Sequence, residues 1–187
     1  MATSSSRESD PRRLDVAAFA AAAGERAGEW AADRLQRLTS ATLAPDDGSP
    51  RPPVAWHVAG GRRLVEGAGV QPSLAIAADT EATLECQRCL QPMLLPLHAE
   101  RRIFFVEGED AAAALDAESE DDVLALTPAL DLRELIEDEL LLALPLVPRH
   151  ADCPEPLPRA FVEDPAVDPA DNPFAALAVL KGGLRPN

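Results

Sequence analysis

Tyrosine is absent, aromatic residues of all kinds make up 4% of the chain, and Lys181 is the only lysine among 17 basic residues. The rest of the positive charge is planar guanidinium, suited to phosphate forks and to stacking on bases. A GC-rich coding sequence, which favours Arg, Ala and Pro together, accounts for the same bulk bias. Only three cysteines are present in 187 residues, too few for a disulfide framework. No apolar segment follows the polar start "MATSSSRESDPRR", so a secretory leader is not expected. Reduced thiols and a cytoplasmic setting follow. The longest aliphatic stretch, "LLLALPLV" at 140–147, is broken by Pro145 and falls far short of the roughly 18 residues of a membrane span, so no membrane contact is expected. Missing too are a phosphate-cradling glycine loop, a nucleophile elbow and a histidine paired in sequence with an acid–base partner. His57 and His98 read as surface or satisfied histidines on strands. No enzymatic activity and no small-molecule substrate are expected.

The net charge of −15 is unevenly distributed. Residues 1–102 hold 12 basic and 13 acidic side chains, whereas 103–187 hold 5 and 19. A near-neutral first part can approach a polyanion; the second part repels one.

Along the chain, residues 1–12 read as a disordered N-terminus. Two short helices are expected at 15–23 and 30–40, divided by Gly24 and Gly28, with Asp15 as N-cap of the first. The period then becomes two. "VAWHV", "RRLV", "SLAIA", "ATLEC" and "LPLHAERRIFFV" read as antiparallel strands. Ala82, Leu84 and Cys86 share one face, which places "CQRC" at a hairpin tip. The segment 107–122, with eight acidic residues and no basic one, reads as an inserted solvated loop. Asp131 and Glu134 then cap a helix whose apolar positions Leu132, Leu135, Ile136, Leu140 and Ala143 recur at helical spacing, ended by Pro145; Glu134, Glu137 and Asp138 form its solvated outer face. A terminal helix begins after Asn172 and Pro173 and stops at Gly182. The fold class expected is α+β: a small antiparallel sheet or partly open barrel, with packed helices and an irregular acidic C-terminal region. Residues 13–181 form the single domain and 182–187 a tail.

Three chemistries are open to Cys86 and Cys89. Two thiolates from one turn supply half a zinc site, and His150 with Cys153, spaced H-x-x-C after the capped helix, supplies the other half. A redox pair would need a helix N-terminus in a βαβ context, whereas this pair lies between strands. The reading the sequence favours is two reduced cysteines in a turn, Cys86 packed inward, with no cofactor; zinc on Cys86, Cys89, His150 and Cys153 is its alternative.

"LECQRCLQP", a hairpin and acidic insert, "DLRELIEDELLLALPLVPRHADC" and "NPFAALAVLKGG", in that order over residues 84–181, closely resemble the YceD family, the large ribosomal RNA subunit accumulation proteins; "LDVAAF" near the start is similar to the family's opening. The resemblance implies a non-catalytic role in synthesis, processing or stability of 23S rRNA, hence in large-subunit biogenesis. Its marked positions fall here on Cys86, Arg88, Cys89, Glu137, Glu139, Pro145, Asn172, Pro173, Phe174 and Lys181. Some members look like zinc proteins with a cysteine-rich segment after this helix, where this chain keeps only Cys153, with His150 nearby. Arg62, Arg63, Arg88, Arg101 and Arg102 are the expected contacts to rRNA or its precursor particle. The rival expectations are an acidic holding protein for a basic large-subunit ribosomal protein, and a thiol-dependent enzyme.

Overall fold

The computed structural model describes residues 11–45, 47–65 and 69–154. The chain divides into two units, 1–154 and 155–187, and only the first is described. The expected terminal helix, the tail and residues 1–10 of the expected disordered start lie outside the described residues.

The protein is α+β. Five strands, β1 (Glu25–Trp30), β2 (Val54–Val65), β3 (Gly69–Glu85), β4 (Pro92–Val106) and β5 (Asp122–Ala125), form one open sheet in chain order. The first four are antiparallel neighbours, while β5 pairs parallel to β4. The runs at 54–58 and 62–65 are one strand, β2, and those at 73–77 and 82–86 fall on another, β3, which starts at Gly69 and ends at Glu85.

Strand alternation decides which face is covered. Val54, Trp56 and Val58 of β2 are buried, as are Leu74, Ile76 and Ala78 of β3; in register Trp56 sits opposite Ala78, Val58 opposite Ile76 and Gly60 opposite Leu74. On this face lie α1 (Val16–Ala21) and α4 (Leu132–Leu142), whose Val16, Phe19, Leu132, Ile136 and Leu140 complete one core. Both helices are capped as their sequence suggests: the Asp15 carboxylate accepts from Ala18 N, and that of Asp131 from Arg133 N and Glu134 N.

The second expected helix is corrected. Residues 25–30 form β1, and only a 3₁₀ turn (Ala32–Arg34) and the short α2 (Gln36–Ala41) follow. Gly24 follows the end of α1, as expected, whereas Gly28 lies within β1. A Cβ at Gly24 would come within 2.5 Å of the Phe19 ring, and one at Gly28 within 3.0 Å of the Trp56 ring. Each glycine lets an aromatic ring lie against backbone.

The acidic insert also departs from a loop, because α3 (Glu109–Glu118) occupies most of it. Ala112 packs with Phe104 and Val123 on the face opposite the main core, with Leu115 beside them. The Asp116 carboxylate accepts from Val123 N at 3.0 Å. This helical crossover is what allows β5 to return parallel to β4.

Candidate metal centre

The β3–β4 hairpin closes through residues 86–91. Cys86 N donates to Gln91 O at 3.0 Å and Leu90 N to Cys86 O at 2.8 Å, with Leu90 at φ 59°, in the left-handed region. This tight turn aims two thiols the same way. Cys86 and Cys89 are buried with Leu84 and Met93, and Leu144 and Cys153 pack against that cluster. Cys86 therefore faces inward, as its strand alternation requires.

After α4, the chain crosses the tip. Gln87 N donates to Pro148 O at 2.9 Å and His150 N to Cys86 Sγ at 3.4 Å. The ligating atoms of Cys86, Cys89, His150 and Cys153 all lie within 4.8 Å of one another. Cys86 Sγ is 3.8 Å from Cys153 Sγ, and Cys89 Sγ is 3.4 Å from His150 Nδ1. A regular tetrahedron built on Zn–S bonds of about 2.3 Å and a Zn–N bond of about 2.0 Å has S···S edges of about 3.8 Å and S···N edges of about 3.5 Å. The two donor separations match those edges. The donor set, three thiols and an imidazole supplied by a knuckle and a distant loop, is one that structural zinc takes.

The surroundings favour a thiolate at Cys86. Burial pushes its thiol up, but the backbone N–H groups of His150, Cys89 and Arg88 and a bond from the Cys89 side chain outweigh burial and lower it to about 5. Burial raises Cys89, against a bond from Gln91 N; bonds to Cys153 and Cys86 add to the rise. One positive group is fixed here. Arg88 Nε donates to Cys153 Sγ at 2.9 Å, and its terminal nitrogen to the carbonyls of His150 at 3.2 Å and Ala151 at 3.4 Å.

The five arginines expected to touch RNA are not equivalent. Arg88 is held by the loop of His150 and Cys153. Arg63 contacts the Asp121 carboxylate and Gln71 and lies 3.5 Å over the Phe104 ring. Arg101 bridges Glu139 and Asp122 at 3.1 and 3.4 Å. Arg62 and Arg102 are exposed, line one open cleft of about 310 Å³, and have no partner among the described residues.

Glu137, read as part of a solvated face, is buried. Its Oε1 accepts from Arg37 N at 2.7 Å and Leu38 N at 3.0 Å, at the start of α2. Leu35, the N-cap of α2, has no side-chain oxygen to do this. A helix without its own cap was the signal sequence reasoning missed.

No helix among the described residues is long and apolar enough to cross a membrane. The family model described as "Large ribosomal RNA subunit accumulation protein YceD" matches residues 74–181, more than half of the chain. A curated protein of that description from Haemophilus influenzae is 37% identical over 107 residues, covering 54% of this chain and 60% of the relative. The chain thus spans about 60% of the length of that relative. No solved structure matches.

Proposed function

The chain belongs to the YceD family, and from that premise we propose that it is a non-catalytic cytoplasmic factor in the accumulation of 23S rRNA and the assembly of the large ribosomal subunit. The observation that carries the reading is the family match, which runs from β3 through the cysteine knuckle and α4 to residue 181. The proposed functional unit is residues 13–181.

In the same reading, Cys86, Cys89, His150 and Cys153 hold one zinc ion that ties the hairpin tip to the loop after α4. Four protein donors fill a tetrahedral shell and leave no position for water or substrate, which is how structural sites differ from catalytic ones. A zinc ion with three thiolates carries a net charge of −1, and Arg88 stands beside one of those thiolates. Arg88→Ala is expected to lower zinc affinity about 10- to 100-fold, the usual effect of removing a group that supports metal ligands. Competition with a chromophoric chelator reads this directly; an unchanged affinity would make Arg88 incidental to the site.

Arg62 and Arg102 are the proposed contacts to rRNA among the five, since their guanidinium groups have no partner among the described residues. Crosslinking of the tagged protein to RNA in growing cells, followed by sequencing, tests the function. A defined 23S segment should be enriched, and the Arg62→Ala, Arg102→Ala variant should lose a measurable part of that enrichment. The rival reading, an acidic holding protein, draws on the exposed Glu109, Asp110, Asp116 and Glu118 of α3. Recovery of large-subunit proteins without enriched RNA, in complexes that weaken as salt rises, would replace the first reading with this one.

A further inference from the structure

A second cluster of arginines lies away from the knuckle, at the other end of α4. Arg12, Arg34 and Arg133 line one cleft of about 460 Å³ with Trp30, Ala31 and Glu29. They come from separate parts of the chain, and the backbone explains their meeting. Leu14 N donates to Leu130 O at 2.8 Å and Leu130 N to Leu14 O at 2.9 Å, fixing the 3₁₀ turn (Pro11–Arg13) beside the start of α4, where Arg133 sits in the first turn. Arg34 ends the 3₁₀ turn that follows Trp30 by one residue.

Three arginines and one acidic residue, Glu29, line this cleft in a chain of net charge −15. In so acidic a protein, arginines readily find carboxylates, as Arg37, Arg63 and Arg101 do. The Arg34 and Arg133 guanidinium groups have no partner among the described residues. Trp30 supplies a different chemistry. Its ring stacks on Trp56 with centroids 4.7 Å apart and planes 23° apart, and Trp56 itself lies against Gly28. The indole is thus held in place before any ligand arrives, so a planar ring stacking on it orders little. Guanidinium groups beside a fixed indole match a backbone phosphate next to an unpaired base.

We infer that the cleft lined by Arg12, Trp30, Arg34 and Arg133 binds single-stranded RNA, with a phosphate against the guanidinium groups and a base against the Trp30 indole. That the ligand is RNA rests on the proposed function; that the cleft takes a phosphate and a planar ring rests on the geometry. The site lies outside the five arginines named above and on segments that precede or flank the knuckle-bearing hairpin.

The test uses the full-length protein and a fluorescently labelled 20-nucleotide single-stranded RNA of mixed sequence, with binding measured across a salt series. The Arg34→Ala, Arg133→Ala variant should bind roughly tenfold or more weakly, and its slope of log affinity against log salt should fall by about 1.4, at about 0.7 for each lost phosphate contact on a single strand. An Arg149→Ala variant, which removes an exposed charge from the loop after α4, should bind within about twofold of the wild type. RNA should quench tryptophan fluorescence in the wild type and quench it much less in Trp30→Phe, because the remaining indole, Trp56, is buried. Circular dichroism melts establish that each variant is folded. RNA binding that is equal in the wild type and the Arg34→Ala, Arg133→Ala variant would overturn the cleft and leave the proposed function standing. Binding of an acidic peptide to this cleft, with no binding of RNA by any form, would overturn both the cleft's ligand and the RNA-contacting role.

Discussion

Isolated under reducing conditions, the protein is expected to carry one zinc ion per chain, and Cys86→Ser with Cys89→Ser to abolish it and lower the melting temperature by about 8–16 °C. The magnitude follows from linkage. Free zinc at about a thousand times Kd adds about 4 kcal/mol to the folded form, and each kcal/mol moves Tm by about 2–4 °C in a chain of this size. Serine in place of buried Cys86 carries a packing cost of its own, so the chelated wild type is the needed comparison. Stripping the metal with a chelator should bring the wild type most of the way to the variant, while the variant's melt should ignore both chelator and added zinc. Native mass spectrometry counts the ion. A metal-free wild type at saturating zinc, with a melt the chelator does not change, would return the knuckle to a turn of reduced thiols.

The halves of this site were legible in the sequence and their meeting was not. C-x-x-C between strands and H-x-x-C after a capped helix are local spacings, and each says only that two donors share a turn. What unites them is non-local: α4 must lie against the sheet so that the chain beyond Leu144 crosses the hairpin tip. The sequence favoured reduced thiols because sixty residues separate the pairs in the chain. In the fold, the bond from Gln87 N to Pro148 O spans that separation.

The same division runs through the fold. Asp131 and the apolar spacing after it specify α4 locally, and the alternation of Ala82, Leu84 and Cys86 specifies the strand that leads to the knuckle. β1 was hidden because Gly24 and Gly28 answer to Phe19 and Trp56, rings contributed by α1 and β2, and not to their sequence neighbours. α3 was hidden by its charge. Glu109 and Asp110 in its first turn suit the helix dipole, and the one face that must be apolar needs only Ala112 and Leu115 to cover Phe104 and Val123. Glu137 was misjudged for a related reason, since helical spacing alone put it on the outer face, and α2 then packs over it.

Replacing Glu137 should be the most damaging single change at an acidic position. Its carboxylate accepts from two N–H groups that α2 cannot satisfy by itself and also receives Arg37 Nε at 3.3 Å, while Asp138 takes the other end of the same guanidinium. Glu137→Ala strips the acceptors and leaves those donors beneath the α2–α4 contact. An unmet buried donor costs about 1–3 kcal/mol, and the half-exposed Arg37 side chain adds little, so a loss of about 2–4 kcal/mol from the two N–H groups together is expected. Glu137→Gln keeps a carbonyl oxygen for the N–H groups and loses only the charge, which limits its cost to about 1–2 kcal/mol. Urea unfolding should therefore rank wild type above Glu137→Gln and Glu137→Ala lowest. A Glu137→Ala protein within about 1 kcal/mol of the wild type would overturn this assignment. The ranking also separates structure from partner recognition. If this carboxylate served RNA or a ribosomal protein directly, Glu137→Gln would keep its stability and lose association. A side chain buried between α2 and α4 predicts the reverse, with association following the fraction of folded protein. Because α4 leads into the loop of His150 and Cys153, zinc retention should decline in step with that fraction.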